Sequence, residues 1–482
     1  RIRPILELLG KEKIYVKNGD PYVDEGVTVA GFNSDEAINY LQYGYKLVTT
    51  GVPANTLTNG TYIITYTLSD KDDKVVMTLK RIVYIFDGAT LMEREDVGYA
   101  IGAKRAGKLT YTSDNIRNIY IINLNDKNAP TEYVDSWDAS SVQNESVMVY
   151  AVNNAWDTGR YDLYICGVDK VIAPENSKDL FANYTNCSSI SGFDALSTND
   201  VKNMNGMFKD NSLITSLDLS KFVTSKVTDM SAMFSGTKAI ESLDLKAFDT
   251  SNVLDMSFMF NGMEVLKTLD ISTFTTSKVT NMSSMFNGLK VLTSLDVSKF
   301  DTSNVTSFES MFRDCQMVTS LDVSKFVSLK VQNFYAMFEN CNKVTVLDVS
   351  NFDTSKAKNL ASMFNGCSSI TNLNVSKFKF DSLDSATYSE TATISGVSVP
   401  RNGLYGMFMG CEKLANLDLT AWDTSNVTNM AYMLADCSSI TRMNLSNFDT
   451  TKVTDAQHLA GMFRNANKLE SILLGIKFNN LN

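Results

Sequence analysis

The chain has 482 residues, of which 44% are hydrophobic, so it can form two or three domains and bury a substantial core. The formal net charge of −10 argues against a nucleic-acid partner, because phosphate binding requires a basic stripe. No run of roughly 18 apolar residues occurs, which predicts no membrane span in this segment. Residue 1 is arginine, and we interpret the numbering as starting inside a longer product or after processing.

Residues 1–88 predict a small β-sandwich. Turn-forming sequences at residues 19–22 (Gly-Asp-Pro-Tyr) and 59–62 (Asn-Gly-Thr-Tyr) separate short segments. Residues 64–68 alternate apolar and polar side chains as a strand does, and residues 81–85 predict a final strand. This segment resembles the bacterial immunoglobulin-like modules that precede repeats in surface proteins, which implies a role as a spacer.

Two regions separate this module from the repeats. Residues 89–112 combine mixed charge with glycine, and we interpret them as a connector or an added edge element. Within residues 113–200, apolar runs at 119–122, 146–150 and 161–165 predict strands. Because the end of a repeat array exposes apolar core, we expect this β-rich region to cap the first repeat.

From residue 201 to 482 a Met-Phe pair recurs, mostly at 26-residue steps. A fixed period of this size predicts an array of stacked repeats. The pairs start at Met207, Met233, Met259, Met285, Met311, Met337, Met363, Met407, Met433 (followed by Leu434) and Met462.

One repeat, residues 227–248, illustrates the predicted local structure. Thr228 can cap a short helix, and the apolar residues of 230–234 share one face of a helical turn. Gly236 can end that turn in a left-handed conformation. Residues 243–245 (Leu-Asp-Leu) alternate inward and outward as a short strand does.

Residues 295–306 read Leu-Asp-Val-Ser-Lys-Phe-Asp-Thr-Ser-Asn-Val-Thr, and a Met-Phe pair follows. The string resembles the BspA-type leucine-rich-repeat surface proteins of bacteria, and the resemblance covers most of residues 131–482. We therefore expect a mixed, β-rich fold with a leucine-rich-repeat-like solenoid of about ten 26-residue coils, each with a short strand and a short helical turn. The resemblance implies extracellular recognition or adhesion without catalysis.

An aromatic residue follows the predicted strand in the repeats. Ordinary leucine-rich repeats place Asn or Cys there, and those side chains bond the loop backbones. We interpret the residues here as a buried aromatic row that replaces this ladder: Phe222, Phe248, Phe274, Phe300, Phe326, Phe352, Phe378, Trp422 and Phe448.

The array is interrupted once, near residues 380–402. This stretch is rich in Ser, Thr, Asp and Gly and contains Pro400, and the repeat register resumes at Leu404. We expect a loop or hairpin that leaves the array. Insertions of this kind lie on one face, often the binding face, but a tolerated surface loop is an equal interpretation.

Five of the seven cysteines occupy one equivalent position of the repeats: Cys315, Cys341, Cys367, Cys411 and Cys437. Other copies hold Asn, Thr, Met, Leu or Ala there, which predicts a small core position with buried free thiols. A metal or disulfide ladder is the alternative. Cys166 and Cys187 lie outside this series and could pair.

An acidic row fills the outward strand position: Asp218, Asp244, Asp270, Asp296, Asp322, Asp348 and Asp418, with Asn374 and Asn444 in two copies. Carboxylates about 4.8 Å apart repel by roughly 1 kcal/mol in water, so the row requires compensation. We expect Ser or Thr hydroxyls of neighbouring coils, or lysines such as Lys299 and Lys325, to supply it. The alternative is calcium bound at Asp270, Asp296, Asp322 and Asp348.

Nothing in the sequence predicts catalysis or a cofactor. His458 is the only histidine, and no P-loop, Gly-x-Ser-x-Gly or Cys-x-x-Cys motif occurs. We therefore expect a non-catalytic protein of the cell surface that binds a protein or glycan ligand on another cell or in a surface assembly. The alternative is a structural virion fibre or decoration protein, with host attachment as a possible role, or the stalk of a surface assembly.

Overall fold

The computed structural model describes residues 4–30, 43–86, 88–384, 390–394 and 397–478. The chain forms two compact units. One comprises Arg1–Met92, Ile121–Val152 and Tyr164–Ile172, and the other comprises Glu93–Tyr120, Asn153–Leu163 and Ala173–Asn482. None of the helices in the described ranges is both long and apolar enough to cross a membrane.

The N-terminal residues form two small sheets around one core. Their strands are β1 (Ile5–Leu8), β2 (Lys13–Lys17), β3 (Val27–Ala30), β4 (Lys46–Thr50), β5 (Gly60–Ser69) and β6 (Val75–Phe86). Strand β1 pairs antiparallel with β3, and the second sheet has the order β2-β6-β5-β4, with β2 and β6 parallel. Alternate residues of β5, including Ile64, Tyr66 and Leu68, are buried in the shared core, as the sequence predicts.

A largely buried ion pair lies beside this core. Arg81 is 1% exposed and is paired with Asp24, which also accepts a hydrogen bond of 2.6 Å from the Tyr66 hydroxyl. Burial opposes ionisation of Asp24, but the bonds from Tyr66 and Arg81 outweigh it and lower the pKa of this carboxyl.

Residues 89–197 add eight short strands and two 3-10 helices, Ser113–Asn115 and Phe193–Ala195. The strands are β7 (Ala89–Thr90), β8 (Ile116–Asn123), β9 (Asp135–Asp138), β10 (Val147–Asn153), β11 (Tyr161–Gly167), β12 (Val171–Ile172), β13 (Ser189–Ser191) and β14 (Leu196–Ser197). A five-stranded sheet has the order β13-β8-β11-β10-β9. Strands β8, β10 and β11 confirm the three strands predicted in this region.

Part of the predicted connector packs against residues 180–184, within the region predicted to cap the repeats. The Arg94 guanidinium donates hydrogen bonds of 2.9 Å to the Leu180 carbonyl and to the Tyr184 hydroxyl. It also lies 4.6 Å from the centre of the Tyr184 ring. The Leu180 carbonyl is therefore bonded by Arg94.

The predicted solenoid of strand-plus-helical-turn coils is wrong. The repeats carry no α-helix in the part of the chain that the structure describes, and only one 3-10 helix, Ala456–His458. Regular strands within them are few: β15 (Ser242–Leu243), β16 (Thr268–Leu269), β19 (Arg442–Leu445) and β20 (Ser471–Leu474). Most of each repeat consists of turns and irregular backbone.

Left-handed residues are the physical reason for this error. In residues 230–236, Ala232 has φ 53° and Gly236 has φ 74°, and a right-handed helix cannot pass through such residues. The N–H of Phe234 donates to the Met259 carbonyl of the next repeat at 3.0 Å instead of to a carbonyl four residues back. The apolar spacing that resembles a helix therefore arises from consecutive turns.

The repeats nevertheless lie side by side in parallel. Single bridges at 26-residue steps connect Asn203, Asp229, Asp255 and Asn281 in sequence. The phenylalanines of the Met-Phe pairs stack, for example at 5.7 Å between Phe286 and Phe312. The rings from Phe208 to Phe408 and the aromatic row are buried, as predicted, whereas Phe463 of the last pair is only half-buried. Dispersion and apolar burial thus continue from one repeat to the next.

Candidate recognition surface on the repeats

A buried row of hydroxyls joins successive repeats, and sequence analysis missed it. Thr276 Oγ1 accepts a hydrogen bond of 2.8 Å from the Asp301 N–H and donates one of 3.0 Å to the Asp301 carbonyl. Two backbone groups of the next repeat are thus bonded by one buried hydroxyl, because Thr276 is only 2% exposed. The row comprises Thr198, Thr224, Thr250, Thr276, Thr302, Ser328, Thr354 and Thr424.

The hydroxyl row corrects the role given to the aromatic row. The aromatic residues pack against one another, whereas the hydroxyls bond the loop backbones. Trp422 does both, because its Nε1 also donates to the Val375 carbonyl at 2.9 Å. The signal for the hydroxyl row was the recurring Asp-Thr-Ser triplet, whose side chains commonly bond nearby backbone groups.

Thr228 lies outside the hydroxyl row, but its polar groups also bond a neighbouring repeat. It was predicted to cap a helix within its own repeat. Instead, its N–H and its hydroxyl both donate to the Lys202 carbonyl of the preceding repeat, at 2.8 and 3.2 Å. Its polar groups therefore link repeats.

The acidic row is exposed, and its oxygens are bonded within their own repeats. Asp296 Oδ1 accepts hydrogen bonds from the Ser298 N–H at 3.0 Å and from the Ser298 hydroxyl at 2.7 Å. Asp322 and Asp348 are bonded in the same way to Ser324 and Ser350. The expectation of hydroxyls from neighbouring coils is therefore wrong, although serine is the partner.

The electrostatics of this row follow from these bonds. The hydroxyl and then the N–H of Ser298 lower the pKa of Asp296, and the charge of Lys299 adds to this effect. The charge of Asp296 opposes the same shift at Asp322, but the pKa of Asp322 is still lowered. Within the described ranges, no group of three or more His, Cys, Asp or Glu residues is placed to hold a metal ion. The geometry therefore does not support the calcium alternative at Asp270, Asp296, Asp322 and Asp348.

All seven cysteines are buried and free, so Cys166 and Cys187 are not paired. In the repeat series, Cys341 Sγ donates to the Phe312 carbonyl at 3.2 Å. Burial raises the pKa of the Cys367 and Cys437 thiols to about 12. These groups are therefore protonated core residues at neutral pH. His458 Nδ1 lies 3.1 Å from the Thr428 carbonyl, so this ring contacts the preceding repeat.

The insertion forms a hairpin that leaves the repeat register intact. Strands β17 (Thr391–Ile394) and β18 (Val397–Pro400) pair antiparallel, while residues 385–389 and 395–396 of the predicted insertion lie outside the described residues. The repeats on either side bond directly, since the Phe364 N–H donates to the Met407 carbonyl at 2.9 Å.

The hairpin packs on one surface of the repeats, which we name the turn face. It consists of the two residues before the second Met-Phe pair and each later pair up to Met433: residues 231–232, 257–258, 283–284, 309–310, 335–336, 361–362, 405–406 and 431–432. Val399 of the hairpin belongs to one buried cluster with Tyr335, Ala361 and Tyr405. The two tyrosines are only 3% and 6% exposed there.

Arg401, directly after β18, anchors the hairpin. Its Nη2 lies 2.8 Å from Glu339 Oε1 and 2.7 Å from Ser362 Oγ. Its guanidinium carbon also lies 5.2 Å from the centre of the Tyr335 ring and 5.9 Å from that of Tyr405. Carboxylate and aromatic rings thus hold one guanidinium together.

Charged groups around Arg401 complement its guanidinium. The second oxygen of Glu339 lies 3.0 Å from Arg313 Nε as an ion pair without hydrogen-bond alignment. Burial disfavours the charge of Arg401, but Glu339, Tyr335 and Glu390 together outweigh it, and the pKa of Arg401 is raised. Burial, with the nearby charge of Glu390, raises the pKa of Glu309. The turn face can therefore bind a peptide segment through apolar, cation–π and ionic contacts.

Comparison with known families agrees with this organisation. Residues 6–85 match the bacterial surface protein Ig-like domain, which confirms the immunoglobulin-like resemblance. Together with the repeats, this domain defines a surface-associated bacterial protein. Residues 175–268, 261–378 and 401–481 match the family described as Mycoplasma protein of unknown function, DUF285.

Because that match covers more than half of the sequence, the chain belongs to the DUF285 family. Neither family model is that of the BspA-type leucine-rich repeats. No curated protein and no solved structure matches the chain.

Proposed function

We propose that this surface-associated protein is a non-catalytic recognition or adhesion protein, which binds a protein or glycan ligand on another cell or in a surface assembly through its repeats. The turn face is the surface that supports this proposal best. Its backbone N–H groups bond neighbouring repeats, as those of Ala232 and Ser284 do at 2.7 Å. Side chains can therefore vary there while the bonds between repeats persist.

The observation that carries the proposal is the docked hairpin. It covers part of the turn face with apolar contacts from Val399 and with Arg401, which contacts Ser362 and Tyr335 there and pairs with the nearby Glu339. The same surface, built from the same backbone, continues along the other repeats. A surface that already accommodates an extended segment is suited to a ligand, because it combines apolar, aromatic and charged groups.

The experiment uses the full chain on glycan and protein arrays, followed by calorimetry with each ligand found. Ser283→Lys on the turn face is expected to weaken binding about tenfold or more, which corresponds to about 1.4 kcal/mol. Ser294→Lys is the matched control and should leave the affinity unchanged. Ser294 is exposed and lies two residues before Asp296 of the acidic row, on what we call the acidic side of the repeat.

Three results would contradict the proposal. Binding that depends on Ser294 and not on Ser283 would move the ligand away from the turn face. Hydrolytic or transferase activity of the purified protein would contradict a non-catalytic role. Self-assembly without any ligand on either array would favour the structural alternative of a virion protein or a stalk.

A further inference from the structure

One repeat has an apolar pair that the other repeats lack. Leu254 and Phe258 are 46% and 44% exposed, and Phe258 belongs to the turn face. The repeats supply their own comparison, because equivalent positions hold Thr228 and Ala232, Thr280 and Ser284, Thr306 and Ser310, and Gln332 and Ala336. An exposed apolar pair at these two equivalent positions, present in one of the compared repeats, indicates a local role beyond stacking.

Phe258 is also held in an unfavourable backbone conformation. Its φ of 57° lies in the left-handed region, which a bulky side chain rarely adopts. Tyr432 is the other aromatic residue at this position, and it packs 6.1 Å from Tyr405 and 5.9 Å from Arg464. Phe258 is 44% exposed. Contacts within the chain therefore do not explain an aromatic residue at this position as they do for Tyr432.

Charge beside this pair selects the partner. Asp229 and Asp255 are joined by a parallel bridge, and both are only half-buried. Asp229 accepts the N–H and the hydroxyl of Ser231 at 2.9 and 2.5 Å, and Asp255 accepts the Ser257 N–H at 2.8 Å and the Asn281 amide at 3.3 Å. All these partners are neutral, so both carboxylates keep a negative charge that attracts a cation.

The chain itself demonstrates how such a surface is covered. At the docked hairpin, Arg401 lies between the rings of Tyr335 and Tyr405 and pairs with Glu339. The region of Phe258 offers the same chemistry, an aromatic ring beside carboxylates, with no hairpin of the described chain seated on it.

We infer that Leu254, Phe258, Asp229 and Asp255 form a docking site for an arginine-bearing hairpin or extended segment of a partner protein. The inference rests on the proposed function and names the partner class for one part of the turn face. The apolar side chains supply contact area, and the carboxylates select the guanidinium.

The probe is a displayed library of disulfide-closed hairpin peptides, selected against the full chain and then titrated as soluble peptides. Selected peptides should contain arginine at a shared position. The variant Leu254→Thr/Phe258→Ser installs the residues of neighbouring repeats, so it should keep its melting temperature while losing about tenfold or more in affinity. Asp229→Asn/Asp255→Asn should weaken binding and reduce its salt dependence.

Val346→Ser is the matched control, because Val346 is 73% exposed and immediately precedes the Leu-Asp-Val segment of its repeat. Its affinity should equal that of the unchanged chain. The inference is overturned if selection yields no peptide that depends on Phe258, if the selected peptides are acidic, or if the site binds a glycan instead. An array ligand that binds the unchanged chain and Leu254→Thr/Phe258→Ser equally would leave the proposed function standing and remove this site.

Discussion

The two sides of a repeat are held in different ways. On the turn side of residues 279–304, the N–H groups of Ser284, Phe286 and Gly288 donate to carbonyls of the next repeat at 2.7, 2.9 and 2.8 Å. On the acidic side of the same repeat, residues 295–297 form no regular strand. This repeat is therefore joined to the next mainly by turns, stacked rings and buried hydroxyls. Elsewhere the acidic side pairs as short parallel strands, at β15–β16 and β19–β20.

Thiol reactivity should show the largest effect, because the repeat cysteines lie beneath the turns. A thiol whose pKa is raised from 9.0 to about 12, as for Cys367, has about a thousandfold less thiolate at pH 8. Ellman's reagent should detect no rapidly reacting thiol in the folded protein and all seven after denaturation. Rapid reaction of the native chain would show that the turns open easily.

Truncation of a stacked ring should destabilise strongly. Phe312 is buried between Phe286 and Phe338, at ring distances of 5.7 and 5.6 Å. Phe312→Ala should lower the free energy of unfolding by about 3–5 kcal/mol, measured by urea denaturation. The control on the acidic row is Asp322→Asn, which keeps an acceptor for Ser324 and should stay within about 0.5 kcal/mol. Equal losses would contradict the difference between the sides.

Loss of one buried hydroxyl should have an intermediate effect. Thr276→Val keeps the shape but leaves the Asp301 N–H and carbonyl without their partner, at a cost of about 1–3 kcal/mol. Thr276→Ser should be tolerated, because Ser328 performs the same bonding in another repeat. If Thr276→Val leaves the melting temperature unchanged, the claim that the hydroxyl row stabilises the repeats is wrong.

The acidic row should show the smallest effect. Asp296→Asn retains an acceptor for Ser298, so we expect a change within about 0.5 kcal/mol, whereas Asp296→Leu should cost more because it removes the acceptor. A chelator should leave the melting temperature unchanged. A decrease of several degrees that Asp296→Asn reproduces would instead support calcium.

The pH dependence of this row has a definite sign. The pKa of Asp296 is lowered from 3.8 in the folded protein, so its stabilising contribution is present above 3.8 and is lost as the pH falls through the folded value. Acid denaturation of the unchanged chain and of Asp296→Asn should therefore diverge only below about pH 4. Divergence at neutral pH would contradict the bonding to Ser298.

Apolar patterning predicted the buried residues better than it predicted the backbone. The Met-Phe period identified the repeats, and the spacing of Met230, Met233 and Phe234 identified a buried face. That spacing does not distinguish a helix from turns with left-handed residues. Gly206, Gly406 and Gly461, at the position that Ala232 and Phe258 occupy elsewhere, were the available signal.

The candidate site was less predictable. The sequence located the insertion near Pro400, but nothing in the spacing of Arg401, Glu339 and Tyr335 indicated that they meet, because 62 residues separate the two charged groups. Contacts of this kind depend on the stacking of the repeats, which brings distant residues together. The exposed pair at Leu254 and Phe258 was present in the sequence as a departure from the other copies and was overlooked there.

Hydrogen–deuterium exchange tests the central claim most directly, because it compares the two sides of one repeat in the same molecule. We predict slow exchange for the amides of Ser284, Phe286 and Gly288 and for the Asp301 amide bonded to Thr276. The amides of residues 295–297 should exchange much faster. Equal or greater protection on the acidic side would contradict the conclusion that turns and hydroxyls hold the repeats together.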